Sequence, residues 1–275
     1  MEQILQALIM GIAQGLTEFL PISSSGHAIL IPYLLGWDAG FIESLAFSVV
    51  LHAGTLAALL VYFREDWARL VPAFFAGLRN RSFRDDPDRR LSWLLFLSTI
   101  PAAVIAFLLN DLAEGSFRQA GLVAVTLVIG AGIMWTADRW GPRTHTIDRL
   151  TSRGALGIGL AQALALVPGI SRSGISMSAG LFAGLDRADA ARYSFLMATP
   201  ITAMAVAWET LKILRGEVGG AEPVVLIVGV LASFGAGILA ISVLLRYLRT
   251  NSFTIFVVYR LVLAAVVVVV FLAPR

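Results

Sequence analysis

The chain has 275 residues, of which 58% are hydrophobic and only 14% charged, and its mean hydropathy is +0.82. That balance excludes a soluble globular domain and points to a protein integral to a bilayer. The sequence has a net charge of +3 and no cysteine, which excludes a disulfide framework and cysteine chemistry.

The first apolar stretches, Ile4–Leu16 and Ile22–Leu35, are separated by Pro21, three serines and Gly26. A crossing takes roughly 20 helical residues. Each stretch is shorter, and the pair reads as a helical hairpin that enters the membrane and turns back. Irregular backbone at that depth requires protein or a water-filled cavity around it. Glu2 stands where a signal peptide has basic residues, so the first helices are expected to be retained. Phe47–Phe63, Trp93–Leu109 and Ala120–Ala137 follow as spans, and about 138–153 reads as a linker. Gly154–Val167 and Ile175–Leu185 then repeat the hairpin design around Pro168-Gly169. Tyr193–Leu211, Pro223–Leu245 and Phe253–Ala273 are three further spans.

The sequence also repeats itself. Residues 13–27 align without a gap on residues 161–175, at an offset of 148, and share Ile-Ser-x-Ser-Gly. The same offset places Phe47-Ser48 on Phe195-Leu196 and Gly54–Leu60 on Thr202–Trp208. The expected fold is an all-α polytopic membrane protein, one domain of six transmembrane helices plus two re-entrant hairpins in an inverted-topology repeat (about 1–137 and 154–275). Each half crosses an odd number of times, which gives the halves opposite orientations. Arg64, Arg69, Arg79, Arg81, Arg84, Arg89, Arg90, Arg139, Arg143, Arg149, Arg153, Arg187, Arg192, Arg246 and Arg249 fall on one face; Arg118, Lys212, Arg215 and Arg275 fall on the other. The positive-inside rule makes the first face cytoplasmic, so the pI near 9.7 calls for no nucleic acid.

Chemistry concentrates in the doubled loop. Gln14 and Glu18 share a helix face, and a carboxylate in an apolar segment is a functional candidate by default. Glu18 and the Gln14 amide oxygen suit a hard cation such as Mg²⁺. Ser23, Ser24, Ser25, Gly26 and His27 offer hydroxyls, an imidazole and backbone N–H groups as an anion cradle; the plainer reading is an N-capping run. The second loop, with Ser171, Arg172, Ser173 and Gly174, supplies a cation at membrane depth. A guanidinium fork suits phosphate, and a structural pair with Glu18 is the alternative. His52 reads as a satisfied core histidine, Arg260 as a structural residue snorkelling to a span end, and Glu209 with Lys212 as a span-end pair.

These two motifs, Gln14 to His27 and Pro168 to Gly174, resemble the signatures of the bacterial undecaprenyl-diphosphate phosphatases of the bacitracin-resistance type. The resemblance covers nearly the whole chain. It implies a hydrolase of the cytoplasmic (inner) membrane, its site open to the periplasm or exterior, that removes the terminal phosphate of undecaprenyl diphosphate with Mg²⁺ or another divalent cation such as Ca²⁺. It implies Glu18 and Gln14 at the metal, Ser24 or His27 as nucleophile, and Ser171 and Arg172 gripping the diphosphate, with Ser23, Ser25, Gly26, Ser173 and Gly174 completing the cradle. Gln14 stands where that family often has Glu. The expected partners are the carrier lipid, the bilayer and, as an open option, a second copy in a homodimer. A transporter or flippase of an anionic polyprenyl lipid is the alternative, because broken inverted repeats are also transporter architecture. Ser25-Gly26-His27 only superficially resembles the acid-phosphatase fold, since Lys212 is the single lysine and no histidine follows His145.

Overall fold

The computed structural model describes residues 1–37, 40, 44–83, 85–108, 119–215 and 222–272. Among them are eleven α-helices: α1 (Glu2–Phe19), α2 (Ser24–Leu35), α3 (Leu45–Tyr62), α4 (Arg64–Asn80), α5 (Pro87–Leu108), α6 (Ala120–Trp140), α7 (Ser152–Ala163), α8 (Arg172–Phe182), α9 (Arg187–Leu214), α10 (Pro223–Tyr247) and α11 (Thr254–Leu272). The starts follow local chemistry. Ser44, Thr151 and Asp186 cap α3, α7 and α9 by accepting from the N–H of Phe47, Gly154 and Asp189, and Pro223 opens α10 where its missing N–H costs nothing. The expected span ends Leu109 and Ala273, and Arg84, Arg118 and Arg275, lie outside the described residues.

The expectation of six spans is met in part. Four helices, α5, α6, α10 and α11, are long and apolar enough to cross a membrane, or five if α3 and α4, bent by 83° at their junction, count as one. The expected spans Phe47–Phe63 and Tyr193–Leu211 fall on α3 and α9. α9 is the longest helix, at 28 residues, but carries Arg192, Ser194, Thr199, Thr202, Glu209 and Lys212. α3 is as apolar as its neighbours but short, and spans a membrane's width only together with α4, whereas α9 loses lipid-like character to the polar residues along it.

The main packing pairs join the two halves of the sequence. α1 lies along α10, and α7, its counterpart, lies along α5. The α3–α9 and α6–α11 contacts join equivalent helices of the two halves. Apolar side chains gain little by leaving lipid for protein, so small residues that admit close backbone approach dominate such contacts. A Cβ on Gly11 or Gly15 would strike the carbonyl oxygen of Gly229 or Ser233 on α10. Gly159, 148 residues after Gly11, meets the Ser98 carbonyl of α5 in the same way.

The arginine-rich segments gather at one end of the bundle. There Arg187 pairs with Asp138 at 2.5 Å and Arg192 with Asp66 at 2.6 Å, while Arg69 bridges Asp66 and Asp88 at 2.8 and 3.0 Å. Arg90 donates to the Asp148 carbonyl at 2.6 Å, and the Phe253 N–H to Asp138 at 3.0 Å. Towards the opposite end of α9, Lys212 lies 3.8 Å from Glu209, the expected pair.

Candidate active site

The two loops have nearly the same conformation. Ser23 and Ser171 are N-caps with φ of +77° and +74°, a region costly for any residue but glycine and one that tends to mark functional sites. Each cap oxygen accepts from the Gly N–H three residues on, Gly26 or Gly174, at 3.2 Å in both cases. Each also lies within 3.3 Å of the hydroxyl of the serine two residues on, Ser25 or Ser173. The loops are tied together as well, by the Gly169 N–H donating to Ser23 Oγ at 3.1 Å and by Ser173 Oγ donating to the Leu20 carbonyl at 3.3 Å. The serine run therefore starts helices, as the plainer reading had it, and does so at the polar site.

Behind both loops stands Arg260 of α11, which is wholly buried. Its guanidinium donates to the Pro21 carbonyl of the first loop (3.3 Å) and to Gly169 and Ile170 of the second (2.6 and 3.1 Å). It also reaches Leu127 and Thr126 of α6, at 3.2 and 3.4 Å. The expected snorkelling is corrected: Arg260 satisfies its donors on inward carbonyls instead of reaching water, although the structural part of the expectation holds. Gly130 leaves it room, since a Cβ there would collide with the guanidinium.

In front of the loops lies a cavity of about 260 Å³, to which Ser24 and Arg172 bring the N-termini of α2 and α8. Its polar lining is Glu18, Ser24, Ser25, His52, Gln162, Ser171, Arg172 and Thr202, and its apolar lining includes Val49, Ala102, Ala106, Leu166, Ile201 and Ala205. Glu18 is the centre. Its Oε1 pairs with Arg172, whose other nitrogen donates to Thr202 Oγ1 at 2.7 Å. Its Oε2 accepts from Ser24 Oγ at 2.5 Å and from Gln14 Nε2 at 2.9 Å, with His52 Nε2 3.4 Å away. The carboxylate and the guanidinium, expected to hold different groups, form one ion pair, so the alternative pairing is the one present. The Ser24 hydroxyl, which faces the cavity, donates to the Glu18 carboxylate.

Of the residues expected at the site, Glu18, Ser24, Ser25, Ser171 and Arg172 line the cavity. Gln14, Ser23, Gly26, His27, Ser173 and Gly174 stand behind it. His27 is turned away: Nδ1 lies 2.7 Å from the Ser23 carbonyl and Nε2 2.7 Å from the Tyr259 hydroxyl. A carbonyl only accepts, so Nδ1 carries a proton, and both ring nitrogens are engaged. Gly26 and Gly174 pack against Val123 and Met134.

A family model described as bacitracin resistance protein BacA matches residues 7–266. The chain belongs to the BacA family. Proteins named undecaprenyl-diphosphatase from Gemmatimonas aurantiaca, Thermomicrobium roseum and Desulforudis audaxviator are 46%, 41% and 42% identical to it over 263, 272 and 265 residues. Those alignments cover 95%, 96% and 96% of this chain and 96%, 97% and 97% of the relatives.

For a metal, this BacA-family chain offers one carboxylate. Among the described residues no three His, Cys, Asp or Glu side chains gather as ligands. A carboxylate only accepts, so Gln14 turns its NH₂ and not its oxygen to Glu18, which does not match the two-oxygen pair read from the helix spacing. The donor set still fits an Mg²⁺-like ion of the kind held by one or two carboxylates together with substrate phosphates. Four residues at the site were missed as site residues in the sequence: His52, Thr202, Gln162 and, at His27, Tyr259. Only Gln162 carried a signal, since it aligns with Gln14 at the repeat offset.

Proposed function

We infer that this membrane hydrolase removes the terminal phosphate of undecaprenyl diphosphate, regenerating the monophosphate carrier used in peptidoglycan synthesis and conferring bacitracin resistance. The observation that carries the reading is the Ser24 hydroxyl on Glu18 at 2.5 Å, with the carboxylate fixed by Arg172 in a cavity lined by two helix N-termini. Phosphoryl transfer needs positioning and charge neutralisation more than other machinery, and serine, arginine and N-terminal N–H groups supply both. Ser24 Oγ bonds to the terminal phosphorus as the bond to the bridging oxygen breaks and the electron pair leaves on the lipid monophosphate. The hydroxyl proton passes to Glu18 Oε2. Water then attacks phosphorus, Ser24 Oγ departs with the proton held on Glu18, and inorganic phosphate carries off the protons of the water.

Ser24 is preferred to His27 as nucleophile because it faces the cavity while both ring nitrogens of His27 are engaged behind it. Arg172 and Ser171 hold the phosphates and Ser25 completes the cradle, while Ser23, Gly26, Ser173 and Gly174 shape the loops that present them. A divalent cation, Mg²⁺ or Ca²⁺, would be held by Glu18 and would neutralise phosphate charge.

The proposed setting is the bacterial cytoplasmic membrane, with two re-entrant hairpins and six crossings in an inverted repeat and the site open to the outer side. The reciprocal packing of α1 on α10 and α7 on α5 supports the repeat, and the arginines at one end support the orientation. Broken helices meeting at a polar site also favour the transporter reading. Purified protein in detergent with Mg²⁺ separates the two, because detergent removes any gradient. Release of inorganic phosphate from the diphosphate lipid is expected, and its loss in Glu18→Ala and Arg172→Ala proteins that still insert; no release by the unmodified protein refutes the phosphatase reading.

A further inference from the structure

Of the polar side chains that line the cavity, His52, Thr202 and Gln162 take no part in the mechanism above, and of these three Gln162 is the one without a hydrogen bond. Gln162 lies at the end of α7 and lines the cavity at 3% exposure, with neither amide atom hydrogen-bonded to the protein. Buried polar groups are nearly always paired, and each exception calls for an explanation. The repeat supplies one. The counterpart of Gln162 is Gln14, whose Nε2 donates to the Glu18 carboxylate one turn further along α1. One turn beyond Gln162 the carboxylate is replaced by Leu166, which also lines the cavity. The amide in one half has an anionic acceptor within its own helix. The amide in the other half has none, and belongs to a residue that lines the cavity together with Arg172, Ser24 and Thr202.

We propose that Gln162 is a substrate-binding residue whose Nε2 donates a hydrogen bond to a non-bridging oxygen of the diphosphate. The inference rests on the phosphatase reading for the identity of its anion. A neutral amide suits the position. It donates as Arg172 does but adds no charge beside the Glu18–Arg172 pair.

Three proteins test the assignment: unmodified, Q162M and Q162E. Each is assayed for kcat and KM with Mg²⁺ in detergent, and for the thermal shift given by a methylene-bridged diphosphonate prenyl analogue that cannot be hydrolysed. Q162M keeps the volume, removes an unpaired buried amide, and is expected to melt at or above the unmodified protein without ligand. Its kcat/KM should fall by roughly 10- to 100-fold, the scale of one hydrogen bond to a charged group, mainly through KM, and the analogue should shift its melting far less. Q162E, which cannot donate when ionised and repels phosphate, should fall further.

Unchanged kcat/KM and an unchanged thermal shift in Q162M would make Gln162 a packing residue and overturn the proposal. If Q162M does not fold, the near-isosteric Q162E decides, and wild-type kinetics there overturn the proposal equally. If the unmodified protein releases no phosphate but its analogue shift is lost in Q162M, the phosphatase reading fails and the binding role stands. If it releases phosphate and the variants match it, the binding role fails alone.

Discussion

Glu18 is gripped from several sides, and the grip separates residues that face the cavity from residues packed behind it. Ser24 touches the carboxylate and faces the cavity; His27 touches neither. We therefore expect Ser24→Ala to lower phosphate release by at least roughly a thousandfold, the scale of losing a nucleophile, with little change in melting temperature. His27→Ala should lower melting temperature and activity together, because it strips the Ser23 carbonyl and the Tyr259 hydroxyl of a buried partner. Melting curves beside turnover numbers check both, and a His27→Ala protein that melts normally but is dead would restore His27 as nucleophile. At this scale the sequence was most legible where charge stands in apolar surroundings, as at Glu18 and Arg172. His52 was illegible for a physical reason: its contact with Glu18 is made across helices, from α3 to α1, and nothing along α3 announces it.

At the scale of elements, the repeat motif carried more information than the apolar runs did. Ser23 and Ser171 take the same rare backbone conformation, each satisfying its own glycine N–H, so the shared Ile-Ser-x-Ser-Gly encodes a conformation as well as a composition. Helix extents were less legible. α1 runs to Phe19, which places Glu18 on a helix buried against α10, and the serine run begins α2. Apolar periodicity could not show this, because polar residues facing a site look like the end of a helix. The small-residue seam gives a prediction of its own. Gly15→Val should abolish folded, active protein, since its Cβ meets Ser233 backbone and another helix cannot yield as a side chain can. Gly157→Val, at an exposed helix position with nothing within 4 Å, should be tolerated. Detergent-extracted yield and phosphate release measure both, and equal behaviour of the two would refute the seam.

For the whole molecule, four helices, or five with the bent α3–α4 pair, have the length and apolarity of a span, and α9 stands apart because Arg192, Thr199, Thr202 and Glu209 lie along it. Arg260 was placed by its distance from a helix end, which says nothing about five carbonyl oxygens brought together from two loops and α6. Arg260→Lys keeps the charge but not the span of the fork. It should lower melting temperature and reduce phosphate release roughly tenfold or more, the scale lost when a well-positioned group is misplaced. A lysine variant indistinguishable from the parent would mean that the loops hold themselves.

That arrangement also bears on how the two loops move. Parting the two loops would break the bonds that the buried guanidinium makes to at least one of them. Arg260 thus fixes the wall behind the cavity rather than the cavity itself. As long as those bonds hold, the two loops and α6 move as one body, and the site keeps a single shape.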